Sequence, residues 1–306
     1  MRISTTERTV RIMKRTGFIA IVGRPNVGKS TLLNAILGEK VAIVSSKPQT
    51  TRNRITGIHT DGDDQFVFLD TPGIFKPRNK LGDFMVNSAD ATMKDADAVV
   101  LVVDAGHAPG DVEKNVIEYL EKTGTPSVLA INKTDLCAAE KIGECILSYS
   151  ELYEFDAVVP ICAKNGTQVK ALLDECSKFL GESDWFFPDD MITDQPERQI
   201  AAEVIREKLL RTLDKEVPHG TAVVIEDFKD ENTLLSIRAE IFCEKESHKG
   251  IIVGKRGETL KRVGSYARQE LERMFGVKVY LNLWVKVKEN WRDSAHLVSN
   301  FGYREE

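Results

Sequence analysis

The chain has 306 residues, 42% of them hydrophobic and 29% charged, with a formal net charge of −5. That length fits two domains of ordinary size, and no apolar run approaches the ~20 residues of a membrane-spanning helix. The acidic balance excludes a protein that coats nucleic acid with a globally basic surface, so any basic face must be local. Cys137, Cys145, Cys162, Cys176 and Cys243 are odd in number and lack metal-ligand spacing, which fits free thiols in a reducing compartment. The first residues, MRISTTERTVRIMKRTG, are basic but have no apolar core. They are not a secretory signal and only faintly resemble a transit peptide, so a plain extension over residues 1–15 is expected.

Phe18–Val22 is a buried-strand pattern, and Thr31–Leu37 has apolar residues at helical spacing. Between them Gly23, Arg24, Pro25, Asn26, Val27, Gly28, Lys29 and Ser30 satisfy G-x-x-x-x-G-K-[ST]. Strand, glycine loop and helix in that order are the context of a phosphate-binding loop. The glycines let backbone N–H groups curl around a polyphosphate at a helix N-terminus, Lys29 adds charge, and Ser30 can ligate Mg²⁺. Val41–Val44 leads into the polar run Ser45–Arg52, the place of a nucleotide-sensing switch loop. Thr50 and Thr51 compete to close on the metal and γ-phosphate. Thr51 is preferred because it abuts the strand starting at Ile55.

Gln65–Leu69 is a strand ending in Asp70-Thr71-Pro72-Gly73, a D-x-x-G at a strand's carboxyl end, where ligands bind in open α/β sheets. Asp70 is placed to hold Mg²⁺ through water, and the Gly73 N–H to report loss of the γ-phosphate. A helix is expected over Gly82–Ala96. Ala98–Asp104 and Ser127–Ile131 are continuous apolar runs, as in parallel strands covered on both faces, with a helix near Asp111–Lys122 between them. Asn132-Lys133-Thr134-Asp135 then forms N-K-x-D. Asp135 can accept from guanine N1–H and its amino group, Asn132 can brace the base and phosphate loop, and the Lys133 stem can pack on the ring. Ala157–Ile161 ends in Cys162-Ala163-Lys164, whose Ala163 N–H can meet guanine O6. Such hydrogen bonds reject a base that lacks them. A guanine-nucleotide domain over residues 16–182 follows.

In Ras-like enzymes a glutamine after the D-x-x-G glycine orients the attacking water. Here that place holds Ile74. Asn26, inside the phosphate loop, is the candidate to recruit a potassium ion in compensation; its plainer reading is a turn residue after Pro25. The catalytic candidates are therefore Asn26, Lys29, Thr51 and Gly73. The phosphate contacts extend to Thr31.

Residues 183–199 carry prolines, acids and aromatics without periodicity, a linker whose aromatics tuck against a domain. Beyond it, residues 200–306 read as a second domain with a tail. A helix over Glu197–Leu213 is followed by strands Ala222–Asp227 and Leu234–Cys243. Gly254-Lys255-Arg256-Gly257 is G-x-x-G opening a helix through about Arg273, with Lys261 one turn on. A KH domain clamps a single-stranded backbone with such a loop. Val277–Lys288 alternates, Val279, Leu281, Leu283 and Val285 inward and Lys278, Tyr280, Trp284 and Lys286 outward. From Lys245 to Arg304 basic residues outnumber acidic ones about two to one, a local surplus suited to phosphate.

On GRPNVGKSTLLN, KPQTTR, DTPGI, NKTD, FFPDDMITDQPER and IIVGKRGETLK the chain resembles the Era family of bacterial ribosome-assembly GTPases. The resemblance implies an α/β P-loop GTPase domain, mostly a parallel doubly wound sheet with helices on both faces, followed by a smaller α+β type II KH domain. It also implies GTP hydrolysis to GDP with Mg²⁺, and recognition of the 3′ end of small-subunit (16S) rRNA on the assembling 30S subunit. A cytoplasmic protein with some peripheral association at the inner membrane is implied as well. Cys162 stands where the family's guanine loop usually has serine. A nucleotide-dependent protein scaffold and a tRNA-modification GTPase are the alternatives; the second lacks its C-terminal cysteine motif and leaves the G-x-x-G loop unexplained.

Overall fold

The computed structural model describes residues 13–231 and 233–304; most of the N-terminal extension lies outside them. The first half is built on β1 (Arg15–Val22), α1 (Lys29–Leu37), β2 (Ile55–Asp61), β3 (Asp64–Asp70), α2 (Lys80–Asp95), β4 (Ala98–Asp104), α3 (Asp111–Thr123), β5 (Ser127–Asn132), α4 (Ala139–Ser150), β6 (Ala157–Pro160) and α5 (Val169–Cys176). The strands lie in the order β2-β3-β1-β4-β5-β6. All neighbours are parallel except the β2–β3 hairpin. Successive residues of the apolar runs feed opposite layers. Ile19, Ile21, Val100 and Val102 enter the core on one face, and Ala20, Val22, Val99 and Leu101 the core on the other. Both faces are dry, which is why these strands are apolar without alternation.

The linker is more structured than its composition implies. Just before it, Gly181–Glu182 (β7) pairs antiparallel with the start of β1; within it, Phe186 stacks on Phe18 at 5.1 Å, and Ile192 O accepts from the Ile58 N–H. Gln65 holds both the carbonyl and the amide of Phe187.

The second half contains α6 (Glu197–Thr212), β8 (Ala222–Asp230), β9 (Leu234–Cys243), α7 (Glu246–Val253), α8 (Glu258–Phe275), β10 (Lys278–Val287) and α9 (Ala295–Asn300). Its sheet runs β10-β9-β8, with β10 parallel and β8 antiparallel to β9. Val204, Ile205 and Leu209 of α6, Val263 and Leu271 of α8, and Ile237 and Ile241 of β9 share one core. α6 is buried on more than one face. Arg206, Glu207 and Lys208 are buried as well, because its second face lies against the first half. Glu207 pairs with Lys40 at 2.8 Å, and Glu270 of α8 takes the same ammonium at 2.9 Å. The turn at Trp291 and α9 were not legible from periodicity. They close a further apolar cluster in which Trp291, Val298 and Tyr303 meet Leu81, Phe84 and Met85 of α2.

Candidate nucleotide site and nucleic-acid groove

The glycine loop leaves β1 with backbone conformations that favour glycine. Gly28 sits at φ 104°, and a Cβ there would lie 2.2 Å from Asn132 Nδ2. A Cβ on Gly23 would lie 2.3 Å from Val102 O. The first turn of α1 has no acidic residue and no side-chain cap, leaving its amides to an anion. Lys29 is buried, with Nζ donating to Gly23 O and Arg24 O, both at 3.0 Å. Burial drives its pKa down to about 8, against the opposing pull of Asp70.

Beside it three oxygen-bearing side chains converge from three elements. Ser30 Oγ donates to Asp70 Oδ2 at 2.6 Å and lies 2.8 Å from Thr51 Oγ1. Asp70 is fully buried, and its other oxygen, Oδ1, is buried without a partner. Desolvation raises its pKa to about 6, although Lys29, Ser30 and Thr51 favour the anion. A carboxylate with an orphaned oxygen beside two hydroxyls is a donor set suited to a hard divalent cation, so these residues fit Mg²⁺. Thr50 also borders the site, but its hydroxyl donates to Lys47 O at 2.7 Å.

The D-x-x-G turn packs directly on the phosphate loop. Ile74 N donates to Gly23 O, and a Cβ on Gly73 would come within 2.7 Å of Pro25 N. Asn132 links three loops: its Nδ2 donates to Val27 O at 2.8 Å, and its Oδ1 accepts from Ala163 N at 2.9 Å. The Ala163 amide, expected to meet guanine O6, is therefore committed to Asn132, as a buried N–H must find some acceptor. Cys162 Sγ lies 3.1 Å from Asp135 Oδ1, so the thiol contacts the carboxylate expected to read the base. Lys133 Nζ bonds Asp104 Oδ2 at 2.7 Å.

A cavity of about 400 Å³ joins these parts. Pro25, Asn26, Gly28, Lys29, Ser30, Thr31, Thr51, Gly73, Asn132, Lys133, Asp135, Cys162 and Lys164 line it. Gly23, Arg24, Val27, Asp70, Thr71, Pro72, Ile74, Thr134 and Ala163 are not in that lining. Arg24 turns to Glu113 on α3 at 2.5 Å, Val27 and Ile74 enter the two cores, and Thr71 and Thr134 bond Ile21 O and Ile161 O. Sequence reasoning singled out neither Ile43, Val44 nor Leu136, which also line the cavity, while Ser45, Gln49 and Thr50 line it from the expected switch run.

In the second half Gly254, Arg256 and Gly257 all have positive φ, at 74°, 52° and 79°. That chain of turns exposes Lys255 and Arg256 at the head of α8. Next to it a groove of about 460 Å³ runs between α8 and β10, with Leu260, Leu281 and Leu283 apolar and Lys261 and Arg268 basic. Arg268 gave no signal of its own in the sequence, and Leu283 was marked only as an inward strand residue.

Two family models match: a 50S ribosome-binding GTPase over residues 18–133 and a KH domain over 216–292. GTPase Era of Ruminiclostridium cellulolyticum is 49% identical over 291 residues, covering 95% of this chain and 98% of the relative. The chain belongs to the Era family of GTPases. GTPase Era of Caldanaerobacter subterraneus subsp. tengcongensis is 50% identical over 291 residues, 94% of this chain and 98% of that one. Among solved structures, Era in complex with MgGDPNP and nucleotides 1506–1542 of 16S ribosomal RNA superposes with a TM-score of 0.92 at 40% identity, covering 95% of this chain and all of that one. An Aquifex aeolicus Era variant bound to GDP·AlF4⁻ gives the same figures. The Era architecture, a P-loop GTPase domain and a KH domain, is the one described above.

Proposed function

We propose that this GTPase hydrolyses GTP to GDP and phosphate at the Gly23–Thr31 loop, and that nucleotide state governs binding of the 3′ end of 16S rRNA by the KH half. The observation that carries the reading is the convergence of Ser30, Thr51 and Asp70 beside Lys29. Ser30 and Thr51 would hold Mg²⁺ directly and Asp70 through water. Bound there, the metal supplies positive charge against β- and γ-phosphate oxygens. Lys29, now spending its protons on two loop carbonyls, would turn to the phosphates, and the Gly73 amide would bond the γ-phosphate. Asp135, Asn132 and the Cys162–Lys164 loop would select guanine. Support for the RNA partner comes from the GxxG loop, its groove, and the relative solved with nucleotides 1506–1542 of 16S rRNA. On this reading the protein works in the cytoplasm on assembling 30S subunits and touches the inner membrane peripherally. No helix among the described residues is long and apolar enough to cross a membrane. Crosslinking to total RNA in GTP or GDP tests it: nucleotide-dependent enrichment of the 16S 3′ end is expected, and its absence would favour a protein scaffold.

Ile74 is buried in an apolar cluster and offers no group to orient water. Asn26, whose amide donates to Ser46 O at 2.8 Å, would instead recruit potassium against the phosphates. Single-turnover hydrolysis should run at least about tenfold faster in KCl than in NaCl, since charge at that place is worth far more in related enzymes. Asn26→Asp should lose the difference; equal rates in the two salts would sink the idea.

Gly257→Asp is the cleaner test of the RNA loop. A Cβ on Gly254 would meet Thr259 Oγ1 at 2.2 Å, so any side chain there deforms the loop, whereas a Cβ on Gly257 meets nothing within 4 Å. Asp also tolerates positive φ better than most residues. RNA affinity should fall at least about tenfold in a filter-binding or anisotropy titration, with GDP affinity unchanged.

A further inference from the structure

Thr51 is anchored on both sides by the other half of the chain. Arg52 follows it and is 1% exposed. Its Nη1 donates to Thr221 O at 2.7 Å and Tyr303 Oη at 3.0 Å, and its Nη2 to His219 O at 2.8 Å. The guanidinium carbon also lies 5.8 Å and 5.7 Å from the ring centres of Trp291 and Tyr303. Before Thr51, the carbonyl of Thr50 accepts from Arg206 of α6, also 1% exposed, which pairs with Glu203 at 2.5 Å. Further back, Glu207 accepts the Val44 amide, and Arg211 donates to Val44 O at 2.9 Å. Among the described residues, the hydrogen-bond partners of the Arg52 side chain all come from residues 219–303.

Burying two guanidinium groups near one another is costly. An exposed switch loop that only had to meet Mg²⁺ would gain nothing from that expense. Each hydrogen bond restricts where the backbone around Thr51 can go.

We infer that Arg52 and Arg206 are positioning residues for Thr51, so that the KH half and the C-terminal segment through Tyr303 form a cis-acting part of the GTP-bound switch. The inference rests on the GTPase reading of the Ser30–Thr51–Asp70 cluster but not on the rRNA reading. It has a reciprocal consequence. Any ligand that shifts His219, Trp291 or Tyr303 changes affinity for GTP, and GTP changes affinity for that ligand by the same factor.

The test uses the full chain without RNA and compares affinities for GDP and for the non-hydrolysable GTP analogue GDPNP, both with Mg²⁺. Tyr303→Phe removes one oxygen and leaves the ring. It should weaken GDPNP about three- to tenfold and slow single-turnover hydrolysis, with GDP affinity unchanged because GDP has no γ-phosphate for Thr51 to close on. Arg52→Lys loses the fork to two carbonyls and should weaken GDPNP by more than about tenfold with the same selectivity. Equal weakening of GDP and GDPNP would mark a merely structural role and overturn the inference, as would no change in either. Wild-type protein that fails to bind GDPNP with Mg²⁺ at all would instead defeat the GTPase reading itself, which separates the two failures.

Discussion

Gly28→Ala is expected to weaken GDP and GTP binding by more than about hundredfold. Gly28 holds φ 104°, and the new methyl would start 2.2 Å from Asn132 Nδ2. Left-handed strain on a non-glycine residue costs about 1–3 kcal/mol. The clash adds to it, because Asn132 cannot withdraw freely. It is 3% exposed and ties Val27 O to Ala163 N. Displacing it leaves buried backbone groups unsatisfied at about 1–3 kcal/mol each. A total of about 3 kcal/mol or more is a loss of at least two orders of magnitude in affinity. Gly38→Ala is the internal control. It also has positive φ, at 71°, but nothing lies within 4 Å of its added Cβ, so it bears strain without touching the site. A fluorescent-GDP titration of both variants decides the matter; a Gly28→Ala protein within about tenfold of wild type would refute the argument.

The contrast between those glycines shows what could be read from the chain alone. G-x-x-x-x-G-K-[ST], D-x-x-G and N-K-x-D are local patterns whose meaning depends on a strand end, and strands buried on both faces announce themselves as unbroken apolar runs. Gly254–Gly257 was legible as a local pattern too, though it joins two helices, α7 and α8. Asn132 was assigned a bracing role, but its grip on Ala163 N depends on two strands meeting in space, and no spacing encodes that. The preference for Thr51 over Thr50 rested on proximity to β2; the structure brings Thr51 to Ser30 and turns Thr50 onto Lys47. What stayed hidden was the join. Arg206 and Glu207 look like the wet side of a helix, yet they are buried because Lys40, Val44 and Thr50 complete their charges and hydrogen bonds, while Lys208 is buried between Glu207 and Glu270. Trp291 and Tyr303 lie in segments too short for periodicity, and their partner Arg52 is more than two hundred residues away.

Asp70→Asn should move stability and activity in opposite directions. In nucleotide-free protein with EDTA, burial holds the carboxyl near pKa 6 even with Lys29 close by. The folded state therefore binds this proton more tightly than the unfolded chain does, whose value is about 3.9. The stability so gained is fully present below pH 3.9 and is lost as pH rises through about 6; above that, the native anion carries a penalty of about 1–3 kcal/mol at 1.36 kcal/mol per pKa unit. Asparagine keeps an oxygen to accept from Ser30 and carries no charge to desolvate. At pH 7.5 the ligand-free variant should melt a few degrees above wild type, and the gap should close as pH falls through 6. Lys29 has the inverse linkage. Its pKa, lowered to about 8, makes its contribution present above 10.5 and lost as pH falls through 8, so at neutral pH both groups are charged against the preference of their surroundings. Mg²⁺-dependent GTP hydrolysis by the same variant should fall by about 10²–10³-fold, the range seen when one preorganised electrostatic contact is removed from a transition state. Thermal melts at pH 7.5 and 5, beside single-turnover rates, test both halves. A variant that melts below wild type at pH 7.5 would show that the carboxylate is at ease in the empty site. A higher melt with lost turnover would mean that stability is given up at Asp70 to keep an anion waiting for its cation.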